Sequence, residues 1–226
     1  MITPTRPPSF FITATDTDAG KTWVTQHLIQ ALLGLGVDAH AIKPVACGIN
    51  ADGINDDVQA LAWAQSCAVD EVCCYAFEQA AAPMQAAAAE HRMLQRETLV
   101  AWCRHKQQQK MTLIEGIGGL MVPLTESYLV SDWLQDIPEA EVILVVGAKL
   151  GCINHTLLTL QQLQHQGRMP AYIILNDCHG GQDVTQLQVA LEPYVDASRT
   201  MVLSPYQDTH ALKALAAMLA QSTHAK

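Results

Sequence analysis

The sequence predicts a single α/β domain over residues 1–226, built as a doubly wound, mainly parallel sheet, on three observations. Short apolar, β-prone runs alternate with stretches of helical apolar spacing; the first run turns through a glycine-bearing loop into an amphipathic helix; and polar residues stand at the carboxyl ends of most runs. In open parallel sheets the ligand crevice lies outside those ends. With 226 residues, 50% of them hydrophobic, the chain can bury one large core, and no shift in composition marks a linker.

The first strand is Phe10, Phe11 and Ile12, and the helix after it carries Val24, Leu28, Ala31, Leu32 and Leu35 at helical spacing. Between them Ala14 to Thr22 reads ATDTDAGKT. A loop from strand to helix leaves backbone N–H groups free at the helix N-terminus, and Gly20 lets that backbone approach an anion closely. Lys21 would place a point charge on the β- and γ-phosphates of a nucleotide, and the Thr22 hydroxyl would ligate Mg²⁺. Thr15 stands where the strict pattern has its first glycine, so the strand, loop and helix context carries the P-loop NTPase-like reading.

Gly34 and Gly36 end this helix, and Ala39 to Ile42 form a second strand with Lys43 at its carboxyl end, in KPVACG. Asn55, Asp56 and Asp57 precede an apolar-periodic helix through Leu61 and Ala64. Capping accounts for Asn55 or Asp56 and leaves one carboxylate for a metal, without saying which. Residues 68–89 show only a helix starting after Pro83, and a further helix spans Glu97 to Gln108 with Leu99, Trp102 and Cys103 inward. The third strand, Met111 to Ile114, stops at EGIGG, where Glu115 joins a metal-ligand carboxylate to the free N–H groups of a glycine-rich turn. Val142 to Val146 is a continuous apolar strand, followed by a helix that Asn154 and His155 open and that carries Leu157, Leu158, Leu160 and Leu163. Ala171 to Leu175 ends at Asn176 and Asp177, Thr200 to Leu203 ends at SPYQD, and His210 to Gln221 is the last helix.

A formal charge of −9, with 15% charged residues and no basic run, gives nucleic acid no electrostatic footing. No stretch reaches the length of a membrane span, and MITPTRPPS is too polar for a signal peptide, so a cytoplasmic protein without membrane contact is expected. Seven cysteines without paired spacing read as reduced thiols.

With these stretches in view, the chain resembles the dethiobiotin synthetases over nearly its whole length. The likeness is carried by TDTDAGKT at 15–22, KPVACG at 43–48, EGIGG at 115–119, VVGAKLGCINH at 145–155 and ND at 176–177. It implies an ATP-dependent ligase that takes 7,8-diaminopelargonate and CO₂ and closes a ureido ring in biotin synthesis, as a homodimer with composite sites. The resemblance implies catalytic roles for Lys43, Lys21 and Thr17. It implies ATP contacts from Asp18, Ala19, Gly20, Lys21, Thr22, Trp23, Asp57, Glu115, Gly116, Ile117, Gly118, Asn176, Asp177 and Pro205, and a Mg²⁺ site of Thr22, Asp57 and Glu115. Substrate contacts would come from Cys47, Leu150, Gly151 and Asn154, the last reaching across to the neighbouring subunit. Four departures stand out: Ala14 replaces a usual glycine, Cys47 a serine, AAAP at 80–83 lacks a threonine and a serine, and VLSP at 202–205 replaces a glycine-containing turn. Partitioning and metal-insertion switch proteins share the strand, loop and helix design, but carry a second lysine early in the loop, where this chain has Ala14, Thr15 and Asp16. A paralogue that binds nucleotide without carboxylating is a third reading, favoured by Cys47 and the AAAP stretch.

Overall fold

A computed structural model describes residues 6–196 and 198–221. The first five residues of the proline-rich N-terminal stretch lie outside the described residues. In chain order the elements are β1 (Ser9–Ala14), α1 (Lys21–Gly34), β2 (Ala39–Ile42), β3 (Val45–Cys47), α2 (Asp56–Gln65), α3 (Val69–Val72), β4 (Tyr75–Phe77), α4 (Pro83–Ala89) and α5 (Arg96–Gln107). There follow β5 (Met111–Glu115), β6 (Pro123–Thr125), β7 (Tyr128–Leu129), α6 (Val130–Asp136), β8 (Glu141–Gly147), α7 (Cys152–His165), β9 (Tyr172–Asn176), α8 (Val184–Leu191), β10 (Thr200–Ser204) and α9 (His210–Gln221).

The six expected strands form one all-parallel sheet in the order β10-β9-β8-β1-β5-β2. β1 lies inside the sheet with every residue buried, because both its faces are covered. Its alternation divides the core: Phe10 and Ile12 pack with Val24, Leu28 and Leu215 on the side of α1 and α9, while Phe11 meets Leu99 and Trp133 on the side of α5 and α6. The rings of Phe11 and Trp133 make an edge-on contact at 4.9 Å. Among the described residues no helix is long and apolar enough to cross a membrane.

Several local expectations are corrected. Leu35 is not part of the buried stripe of α1; it caps the helix and is 55% exposed. Trp102 is only partly buried, and Val100 accompanies Leu99 and Cys103 inward. Asn154 does not cap α7: Gly151 does, at φ 90°, which places Asn154 in the first turn with Leu158 turned outward. Ala14, in the position of a usual glycine, closes β1 without a positive φ, so its methyl is accommodated.

Candidate active site

Strand register brings the site together. β2 and β5 pair with Ile42 beside Ile114, so the next residues, Lys43 and Glu115, fall side by side at the carboxyl edge. β1 pairs with β5 on its other side, with Ile12 beside Glu115, so the loop leaving β1 passes over the same carboxylate. Lys43 Nζ lies 2.6 Å from Glu115 Oε1 and 2.9 Å from Asp57 Oδ2, and Thr22 Oγ1 donates to Glu115 Oε1 at 2.7 Å. Burial works against the Lys43 ammonium, but Glu115 and Asp57 outweigh it and hold its pKa above the ordinary lysine value. Burial likewise opposes the charge on Asp57, but Lys43 outweighs it and keeps the carboxyl below the usual carboxylate range.

The two aspartates are now told apart. Asn55 caps α2 by accepting from the Val58 N–H at 3.1 Å, Asp56 accepts from Asn50 Nδ2 at 2.7 Å, and Asp57 faces Lys43. Glu115 is fully buried, and its Oε2 has no hydrogen-bond partner. Two carboxylates and a hydroxyl are hard oxygen donors of the kind Mg²⁺ takes, and the orphaned Oε2 leaves lone pairs for such a cation. Among the described residues no three His, Cys, Asp or Glu side chains converge, so a cation here would complete its shell with water or phosphate oxygens.

The phosphate loop is shaped by its own backbone. Asp18 and Gly20 adopt positive φ, 56° and 84°, and Gly20 caps α1 without a side-chain bond, leaving first-turn N–H groups for an anion. A Cβ on Gly20 would lie 2.2 Å from Asn176 Nδ2. That amide donates to Ala19 O at 2.9 Å, and its Oδ1 accepts from Ser204 Oγ at 3.2 Å, which joins the loop to the ends of β9 and β10. Lys21 folds back over the loop, donating to Gly118 O at 2.9 Å, and burial, aided by the Lys43 charge, lowers its pKa to about 8.

A cleft of about 650 Å³ opens above these groups. Of the expected residues, Thr17, Asp18, Gly20, Lys21, Thr22, Trp23, Lys43, Cys47, Asp57, Ile117 and Gly118 line it, and Ala80 to Pro83 with Val122 form its far wall. Burial pushes the Cys47 thiol up to about 11, so it faces the cleft neutral. Gly116 does not offer its N–H to the cleft: that group bonds Ile12 O at 2.9 Å, and its Cα faces the Phe11 ring. Ala19 is buried against Gly147. Asp177 is buried with Oδ1 unpartnered, Pro205 is exposed, and neither lines the cleft. Leu150, Gly151 and Asn154 are exposed and line no part of this cleft.

The sequence reading missed Lys149, whose Nζ binds Asp16 Oδ2 at 2.8 Å and so ties the phosphate loop to the end of β8. Its place one residue after a strand-end glycine and alanine was the available signal. It also passed over Val122 and gave Asn176 no structural role.

A phosphate loop at the centre of a parallel sheet, with a lysine and carboxylates on neighbouring strand ends, defines a P-loop nucleotide-binding protein. The family model described as AAA domain matches residues 8–204. The chain is 37% identical over 174 residues to the ATP-dependent dethiobiotin synthetase BioD 1 of Escherichia coli O157:H7, covering 74% of this chain and 77% of that protein. It is 41% identical over 165 residues to the ATP-dependent dethiobiotin synthetase BioD of Cellvibrio japonicus, covering 70% and 72%. The chain belongs to the dethiobiotin synthetase family. The fold is also that of HypB from Helicobacter pylori, solved in complex with nickel, at TM-score 0.55 and 13% identity over 96% of this chain and 87% of that one.

Proposed function

We propose that this chain is an ATP-dependent dethiobiotin synthetase, joining CO₂ to 7,8-diaminopelargonate and closing the ureido ring with release of ADP and phosphate. The observation that carries it is the convergence of Lys21, Thr22, Lys43 and Asp57 on one cleft, with the buried Glu115 bonded to Thr22 and Lys43 beneath it, in a member of that family. One substrate amine takes up CO₂ as a carbamate, and a carbamate oxygen attacks the γ-phosphorus of ATP while ADP leaves. The second amine then attacks the carbamoyl carbon of the mixed anhydride, phosphate departs, and the ring is closed.

Lys21 and Lys43 supply positive charge to the carbamate and the moving phosphoryl group, the main lever available in phosphoryl transfer. Thr22, Asp57 and Glu115 would hold Mg²⁺, which neutralises the β- and γ-phosphate oxygens when bound. Thr17 adds a hydroxyl to the rim of the cleft, and Cys47 a neutral thiol that donates weakly where a serine would donate well. No side-chain nucleophile is needed, since the carbamate attacks.

The working unit in this reading is a cytoplasmic homodimer of one-domain subunits. Leu150 is fully exposed, and Ile153 and Leu158 on α7, with Met121 beside Leu158, are exposed apolar side chains that suit burial against a second copy. The test is turnover with diaminopelargonate, bicarbonate, ATP and Mg²⁺, with dethiobiotin detected by mass. ADP release that ignores the diamine would overturn the assignment.

A further inference from the structure

Lys43 sits where a divalent cation would have to sit. Its Nζ is 2.6 Å from Glu115 Oε1 and 2.9 Å from Asp57 Oδ2, the two carboxylates available to a metal beside Thr22. Glu115 Oε2 keeps its lone pairs, but a Mg²⁺ ion bound to it and to Asp57 at about 2.1 Å would stand beside the ammonium that already spans the two carboxylates, and two cations so close inside a protein repel strongly. Glu115 is fully buried, and without either cation its charge would stand desolvated and unpaired. The ammonium has somewhere to go: the Lys43 N–H is anchored to Val72 O at 2.9 Å, while the side chain lines a cleft of about 650 Å³.

We infer that the Lys43 ammonium occupies the cation position in the metal-free protein and is displaced into the cleft when a divalent cation binds. Metal loading and delivery of the lysine to the reacting groups are then one event. Before loading, Lys43 keeps the Glu115 and Asp57 charges compensated; after loading, the cation takes over that task and frees a positive charge for the carbamate. The inference rests on the reading of the cleft as a metal–nucleotide site.

The test is binding of Mn²⁺ alone, without nucleotide, to the full chain, followed by the paramagnetic signal of the free ion. Lys43→Met should bind Mn²⁺ at least about tenfold more tightly than wild type, because the competing cation is gone. Lys43→Arg keeps a cation and should stay within about threefold of wild type. Equal or weaker binding by Lys43→Met overturns the inference. If Lys43→Met does not fold, a crystal structure of wild type with Mn²⁺ decides: Lys43 Nζ beyond ion-pair reach of Glu115 supports displacement, and a lysine still between Asp57 and Glu115 overturns it. Dethiobiotin formation is measured separately. An inactive wild type with a tightened Lys43→Met refutes the function and leaves the displacement standing, and the converse pair of results does the reverse.

Discussion

His40 is a partly buried histidine outside the cleft, yet it makes stability depend on pH. Its Nε2 lies 2.9 Å from Thr112 Oγ1, whose own hydrogen goes to Lys110 O at 2.9 Å, so the imidazole donates there. Burial, with Lys106 and Lys110 nearby, lowers its pKa from 6.5 to about 4. Between those values the unfolded chain binds the extra proton, so stability is intact above pH 6.5 and falls as the pH drops toward 4. This residue alone should remove about 2 kcal/mol between pH 7 and pH 5, the gap in urea unfolding between wild type and His40→Gln. Lys21 is shifted in the same direction at a working residue: burial lowers its pKa, so the fold disfavours its charge. Lys21→Ala should therefore lower turnover at least about a hundredfold while leaving Tm no lower than wild type, a pairing that rate assays and calorimetry can read.

At the scale of elements, the long periodic segments were legible and the short ones were not. The six sheet strands and the helices from Lys21, Asp56, Arg96 and His210 were readable because each shows enough apolar repeats to set its period. β3, β4, β6 and β7 have two or three residues each, too few to display any period, and they are held by pairing that only the folded chain creates. The candidate site divides in the same way. Lys43 and Glu115 could be read from strand ends, but Gly116 looked like a free turn because its bond to Ile12 O crosses from another strand. The wall from Ala80 to Pro83 carries no polar signal at all. The link of β9 to the phosphate loop through Asn176 is similarly invisible in sequence and testable in the protein. Gly20→Ala places a methyl against that amide at a φ of 84°, and should destabilise by on the order of 1–3 kcal/mol while abolishing measurable ATP binding by calorimetry.

At the scale of the whole molecule, the exposed Asn154 is where the proposed dimer is tested. Asn154→Ala should raise the KM for the diamine more than it alters ATP affinity. If Asn154 serves the neighbouring subunit, mixing equal amounts of poorly active Asn154→Ala and inactive Lys21→Ala should restore roughly a quarter of the wild-type rate, because half the dimers are mixed and each has one unmutated site. Exchange verified by mass without recovery would place each site within one chain.

The sheet also sets an order of events during synthesis. Ser9 pairs with Thr112 on one side of β1 and Phe10 with Glu141 on the other, so the wholly buried first strand leaves the ribosome long before either neighbour exists. β2 waits for the same partner, since Ala39 pairs with Met111. Until β5 has emerged, β1 and β2 are sticky, unpaired strands and no part of the six-stranded sheet exists, the circumstance in which a growing polypeptide needs chaperone cover. Stalled chains ending before Met111 should accordingly be protease-sensitive and prone to aggregate, while chains carried past Gly147 become protected together.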